Sequence, residues 1–131
     1  MSPHPSQHKS KGGFGRVLKA AAYSLNGLRA ALRYEAAFRQ ELLLVFILAP
    51  AAFWVGQDAV QIILLLSSLV LVLIVELLNS ALEAVADAVT LENNELIGRA
   101  KDLGSAAVLL SLLSAGALWV TLLVNKWFNF L

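Results

Sequence analysis

Apolar positions in this chain follow three different rhythms, and each predicts a different kind of element. Over Phe14–Arg33 the apolar residues Phe14, Val17, Leu18, Ala21, Leu25, Leu28 and Leu32 recur at helix-face spacing, with Arg16, Lys19, Arg29 and Arg33 elsewhere around the barrel. This predicts an amphipathic basic helix lying in a membrane interface, and anchoring by anionic lipid alone explains most of its basic residues. Gly27 inside it predicts a bend or close packing. Three almost unbroken apolar runs follow. Leu42–Gly56 is uncharged and, with Ala36–Phe38 ahead of it, long enough to cross a bilayer; Ala59–Val75 is the second run; Leu103–Asn125 is the third, about 34 Å of helix against a hydrocarbon core of about 30 Å. Pro50 interrupts the first run and predicts a bend there, with the freed carbonyl near Phe46 tolerated inside a bundle. Gly56, Gln57 and Asp58 make a short turn, and Asn93 or Asn94 can cap the last helix.

The third rhythm begins where the second apolar run ends. Glu76, Asn79, Ser80, Glu83 and Asp87 share one face of the continuing helix, and Leu, Ala and Val fill the other. An ordinary amphipathic helix with a wet polar face would show the same pattern. The flanking runs argue against that, because a carboxylate at membrane depth is costly and points to function.

Composition agrees with the membrane reading. Of 131 residues 59% are hydrophobic and 15% charged, and the mean hydropathy is +0.74, too apolar for a soluble domain. The formal net charge of +1 hides an asymmetry: of ten basic residues, Lys9, Lys11, Arg16, Lys19, Arg29, Arg33 and Arg39 precede the first long run. The positive-inside rule then puts the N-terminal region and the 87–102 loop in the cytoplasm, with the Gly56–Asp58 turn and the C-terminus outside. Lys126 alone opposes this arrangement. Glu76 falls about 27 Å along the axis from Asp58, near the inner hydrocarbon boundary, and Glu83 about 10 Å beyond it. Trp54, Trp119 and Trp127 fall towards the outer ends of spans, as an aromatic belt requires. Gly104, Ala107, Ser111, Ser114 and Ala115 form a strip of small residues suited to close helix packing in lipid.

The expected architecture is an all-α membrane protein: a disordered polar tail over 1–13, then one membrane-embedded domain over 14–131. That domain has a surface helix over about 14–33 and spans over about 34–56, 58–87 and 94–126. The tail carries both histidines, His4 and His8, and lacks the apolar core of a signal peptide. With no cysteine there is no disulfide and no thiolate metal site. No nucleic-acid partner is expected.

Carboxylates near a cytoplasmic interface, with Arg16, Arg99 and Lys101 in reach, are suited to Mg²⁺ and a polyphosphate. Mg²⁺ takes one or two carboxylates plus phosphate oxygens, and Lys and Arg offset the remaining phosphate charge. A further carboxylate can accept a hydroxyl proton as general base. Glu35 either pairs locally with Arg39, four residues on, or completes this site from the first span. No G-x-x-x-x-G-K-[ST] loop and no protein-kinase motif set occurs. The glycine-rich stretch Gly12, Gly13, Gly15 follows a polar tail rather than a strand and reads as a hinge. The residues alone also fit a divalent-cation transporter or an ion-coupled regulatory subunit, although a transporter's acids belong near the midplane.

Four ordered blocks make the pattern more specific. The segment from Glu76 to Asp87 resembles E-x-x-N-[ST]-A-[IL]-E-x-x-x-D of the prokaryotic diacylglycerol kinases. Two further blocks match, one from Glu35 through Arg39 and Gln40 to Glu41, the other from Gly98 through Lys101 and Asp102 to Ser105. A fourth holds Tyr23, Ser24, Gly27, Leu28 and Arg29. The resemblance implies a homotrimeric bundle in the bacterial inner membrane, with composite sites shared between subunits. It implies ATP- and Mg²⁺-dependent phosphorylation of diacylglycerol to phosphatidic acid; a related kinase acting on undecaprenol shares the same blocks. By motif position it implies Glu76 as general base and Glu35 and Glu83 as metal carboxylates. ATP contacts would come from Arg16, Tyr23, Glu35, Glu83, Glu92, Asn93, Asn94, Lys101 and Asp102. Lipid contacts would come from Arg16, Arg29, Ala37, Phe38, Arg39, Gln40, Glu41, Glu76 and Ser105, with Asn79 and Asp87 in support. Ala86 departs from the family, which often has a larger aliphatic residue there, and Leu25 and Asn26 stand where an aromatic-basic pair can occur.

Overall fold

A computed structural model describes residues 12–89 and 92–129. The tail over 1–11, with His4 and His8, lies outside the described residues. Four helices follow in order: α1 Gly13–Tyr34, α2 Ala36–Val55, α3 Ala59–Val89 and α4 Glu95–Phe128. The chain divides into two compact units, Met1–Tyr34 and Glu35–Leu131. The first contains α1 and the second packs α2, α3 and α4.

Helix α1 keeps the amphipathic pattern, and it runs through Gly27 without a break. Space is open where a Cβ at Gly27 would stand, so no described residue of the chain packs closely against it. Ser24 Oγ donates to the Ala20 carbonyl at 2.8 Å, satisfying the hydroxyl within the helix. At the helix end the Arg33 guanidinium stands 5.5 Å from the Tyr34 ring centroid.

In the second unit, α2, α3 and α4 are each long and apolar enough to cross a membrane. At 31 and 34 residues, α3 and α4 exceed the roughly 20 needed for a crossing, so both carry polar turns beyond the hydrocarbon. Most large apolar side chains, among them Phe46, Phe53, Ile63 and Leu110, point outward. That is the arrangement for a chain whose solvent is lipid. Helix α2 continues through Pro50.

The packed core lies at the turn end of the bundle, where Ala52, Val55, Leu65 and Leu122 meet, with Leu66, Leu118 and Trp119 against them. It lies there because the α2–α3 connection is so tight. Gly56 donates to the Ala52 carbonyl at 2.9 Å. Asp58 Oδ1 accepts from Gln61 N–H at 2.9 Å, and Gln61 Oε1 accepts from Gln57 N–H at 3.1 Å. This reciprocal pattern, close to a capping box, starts α3. Helix α4 is capped by Asn94, whose Oδ1 accepts from Leu96 N–H at 2.9 Å and Ile97 N–H at 3.3 Å.

At the turn end, two polar contacts set α4 against its neighbours. Trp119 Nε1 donates to Ser68 Oγ at 3.1 Å, and Ser68 Oγ donates to the Leu65 carbonyl at 2.7 Å. The Trp119 indole is therefore turned inward onto α3, unlike a belt tryptophan whose N–H meets the interface. Such bonds between membrane helices contribute about 0.6 kcal/mol each, and up to about 1.7. Lys126 Nζ donates to the Trp54 carbonyl and stands 4.2 Å from the Trp54 ring centroid. It thus satisfies an orphan carbonyl in the last turn of α2. The ring of Trp127 meets that of Trp54 edge-on at 6.1 Å. Of the small-residue strip, Ser111 is buried and Gly104 and Ala115 are half-buried, whereas Ala107 and Ser114 face outward.

Gly56 has an ordinary φ of −68°. Close approach explains the glycine, since a Cβ would stand 2.5 Å from Ile62 Cγ1 and 3.0 Å from both the Ala52 carbonyl oxygen and Ile62 N. Backbone cannot yield as a side-chain tip can. Gly56→Ala should destabilise the α2–α4 unit by about 1–3 kcal/mol, measured by denaturant unfolding in mixed micelles. Gly116→Ala, where the space is open, should unfold like the parent chain.

Candidate active site

The polar face of α3 is graded in burial. Glu76 is 5% exposed and Ser80 is also buried. Asn79 and Glu83 are half-buried, and Asp87, about 16 Å along the axis from Glu76, is exposed. The sequence groups these residues on one face, and the fold turns the inner part of that face into the bundle.

Helix α2 adds two more carboxylates. Glu35 is its N-cap, held in extended geometry (φ −107°, ψ 105°), and its side chain makes no capping hydrogen bond. Glu41 is 9% exposed, and its Oε2 is buried without a hydrogen-bond partner. Glu76 lies close enough to Glu83 and Glu35 for both charges to act on it, and Glu41 feels Glu76 in turn. Three further carboxylates therefore lie within electrostatic reach of the buried Glu76. Like charges in a poorly solvated region repel strongly, and a cation or retained protons must offset them.

The proximity of Glu41 to Glu76 is the feature the sequence pattern does not reveal. Glu41 precedes an uncharged run and falls in the block whose resemblance implies lipid contact. Its position at the start of that run, as an acid followed by Leu42, Leu43 and Leu44, is the signal that could have singled it out. Glu41 also borders an apolar cavity of about 220 Å³ between α2, α3 and α4, walled by Leu44, Leu48, Leu69, Val72, Leu112 and Trp119. Of its neighbours in the same block, Phe38 is buried and Ala37, Arg39 and Gln40 face outward.

Beyond Glu83 the site becomes open and mixed in charge. Lys101 Nζ pairs with Asp87 Oδ1 at 2.6 Å, and the Lys101 ammonium also lies within electrostatic reach of Glu83. Lys101 and Asp87 line a cavity of about 350 Å³ together with Glu92, Asn93, Asn94, Glu95, Ile97 and Gly98. The fold thus gathers Glu92, Asn93, Asn94 and Lys101, expected as a group from the motif, and adds Glu95 and Gly98. Asn94 holds the helix with its side chain, which leaves Asn93 as the uncommitted amide of the two. Asp102 and Ser105 are exposed on α4 and do not line this cavity. On α1, which is a separate unit, Arg16 and Tyr23 lie seven residues apart on one face, and Arg29 lies further along the helix.

Among the described residues, no three His, Cys, Asp or Glu side chains converge tightly enough to hold a metal ion by themselves. Glu35, whose side chain makes no capping hydrogen bond, and Glu83 are carboxylates of the kind Mg²⁺ takes one or two of, completing its shell with phosphate oxygens and water. Asn79 Nδ2 donates to Glu83 Oε1 at 3.5 Å, so one oxygen of Glu83 is oriented and Oε2 is left for another partner.

The family described as "Prokaryotic diacylglycerol kinase" matches over residues 22–123. The chain belongs to this family. The chain is 52% identical over 118 residues to the diacylglycerol kinase of Escherichia coli (strain K12), covering 90% of this chain and 94% of that protein. With the diacylglycerol kinase of Pseudomonas aeruginosa it shares 46% over 125 residues, covering 95% and 100%. With that of Haemophilus influenzae it shares 46% over 107 residues, covering 82% and 91%. The family match runs from α1 through α4 and takes in both carboxylate-bearing helices and the Asp87–Lys101 pair.

That pair is partly exposed on both sides, so it adds little to stability and instead aims the ammonium along the cavity wall. Asp87→Asn should leave the melting temperature in detergent essentially unchanged. It should raise the ATP concentration for half-maximal rate about tenfold, the scale of a lost orienting partner. Steady-state kinetics and a thermal melt on the same preparation check both halves.

Proposed function

We propose that this protein transfers the γ-phosphoryl group of ATP to the free hydroxyl of diacylglycerol, giving phosphatidic acid and ADP, at the cytoplasmic boundary of the bacterial inner membrane. The observation that carries the proposal is the single continuous face of α3. It joins a buried carboxylate, Glu76, one helical turn beyond Val72 in the wall of the apolar cavity that Glu41 borders, to a mixed-charge cavity about 16 Å further along the helix. A lipid hydroxyl reaches the first from the bilayer, and a nucleotide reaches the second from the cytosol. The relatives named diacylglycerol kinase support the lipid class.

In this reading Glu76 accepts the proton of the attacking hydroxyl. The new O–P bond forms in line with the breaking bond between the γ-phosphorus and the β,γ-bridging oxygen, and ADP departs with that electron pair. Lys101 offsets charge on the phosphates, with Asp87 holding its direction. Glu35 and Glu83 are the carboxylates that would hold Mg²⁺, which when bound neutralises phosphate charge. Glu92, Asn93, Asn94, Asp102, Arg16 and Tyr23 are the proposed nucleotide contacts. Arg29, the 37–41 segment and Ser105 are the proposed lipid contacts. The basic N-terminal segment and the loop before Glu95 face the cytoplasm.

Homotrimer formation, with sites completed by neighbouring subunits, belongs to the same proposal. Within one chain Glu35 already acts electrostatically on Glu76, so the pairing of these two carboxylates does not require a neighbour.

The test is phosphate transfer by purified protein in mixed micelles, with dioleoylglycerol and undecaprenol offered side by side. Label should appear in phosphatidic acid, and label confined to undecaprenyl phosphate would overturn the substrate assignment. Glu76→Gln keeps the size of the side chain but cannot take up the proton. In the same assay its turnover should fall about 10²-fold or more while ATP binding survives. A second experiment addresses chain identity. Glu35→Gln and Glu76→Gln chains, unfolded together and reassembled, should recover no activity, because both residues serve one chain's site. Recovery would show that the two carboxylates meet across a subunit boundary.

A further inference from the structure

Gly104 of α4 meets α3 at one point. A Cβ there would overlap Asn79 Oδ1, and would also lie 3.5 Å from Asn79 Cγ and 3.8 Å from Leu82 Cδ2. The two other glycines of α4, Gly98 and Gly116, have nothing within 4 Å of the same position. Asn79 Oδ1 is itself buried and makes no hydrogen bond, so its amide is placed by shape and by what its other end does. That end is Nδ2, which donates to Glu83 Oε1 at 3.5 Å. Turning the amide over would set Oδ1 against the Glu83 carboxylate, two acceptors facing each other, so the oxygen is left pointing at α4. Only a residue without a side chain leaves room for it.

We propose that Gly104 is a positioning residue: its bare α-carbon lets the Asn79 amide lie between α3 and α4 and hold Glu83 Oε1, leaving Glu83 Oε2 directed to the cation. This rests on the reading of Glu83 as a metal carboxylate. The atom that a methyl group at 104 would strike is the far end of a short side chain that can rotate. The fold therefore survives the substitution and the orientation of Asn79 does not. A purely structural role for Gly104 predicts the reverse, a loss of stability with the cation affinity of folded protein intact.

The experiment measures Mn²⁺ binding by electron paramagnetic resonance, on folded protein in micelles with a non-hydrolysable ATP analogue and no lipid substrate. Thermal melts are recorded alongside. Gly104→Ala should weaken Mn²⁺ about tenfold, as lost orienting partners of metal ligands do, with its melting temperature retained. Gly116→Ala should behave as the parent chain in both readouts. In an Asn79→Ala background, Gly104→Ala should add no further loss, because the contact through which it acts is already gone. Parent-like Mn²⁺ affinity in Gly104→Ala, or an equal loss in both backgrounds, would overturn the inference. Glu83→Gln separates the two levels. If it binds Mn²⁺ as the parent does, the metal reading of Glu83 falls and this inference with it. If it weakens binding while Gly104→Ala does not, only the role of Gly104 falls.

Discussion

Electrostatic coupling of neighbouring carboxylates to the buried Glu76 is the constraint on which the rest of this structure depends. A buried Glu at membrane depth is costly on its own, and here Glu35, Glu41 and Glu83 all act on it or feel it. The repulsion has to be offset by something the carboxylates attract. A nucleotide-bound divalent cation, together with the Lys101 ammonium at the open end, is the offset that matches the proposed phosphoryl transfer.

Holding that cluster in place falls to a small number of polar contacts between helices, because burial of apolar surface gives membrane helices little preference for one another over lipid. Trp119 on Ser68 and Lys126 on the Trp54 carbonyl fix α4 against α3 and α2 at the turn end of the bundle. Gly56 and the caps at Asp58 and Gln61 fix α3 against α2. At the loop end, the close approach of Asn79 to Gly104 and the Asp87–Lys101 pair continue the α3–α4 seam into the site. Register set by the closely packed end is delivered to the carboxylates by rigid helices, while the cavity lined by Glu92, Asn93 and Asn94 stays open.

Much of this was legible in the residues alone. Four helices, the membrane class, the shared polar face of α3 and the family all follow from local pattern. Hydropathy and helical periodicity are properties of a short window, and the motif spacing from Glu76 to Asp87 is an unbroken stretch of one helix. The short turn at Gly56–Asp58 and an Asn cap before α4 were equally local. Their outcome needed only the choice of Asn94 over Asn93, made by which amide reaches two backbone N–H groups at once.

What tertiary structure decided is which side of each apolar helix faces in. In water the apolar stripe of a helix marks its buried side, but in a bilayer lipid-facing and protein-facing surfaces are both apolar, so the sequence cannot distinguish them. For that reason the inward turn of Trp119, the capping of α2 by Lys126 and the burial of Glu41 near Glu76 came only from the packed helices. The same holds for the strip of small residues on α4, where Gly104 and Ser111 pack inward while Ala107 and Ser114 face out. Sequence determined the helices and the chemistry they carry; the rotation of each helix about its axis, set by a few close contacts between residues distant in the chain, determined which of those groups meet.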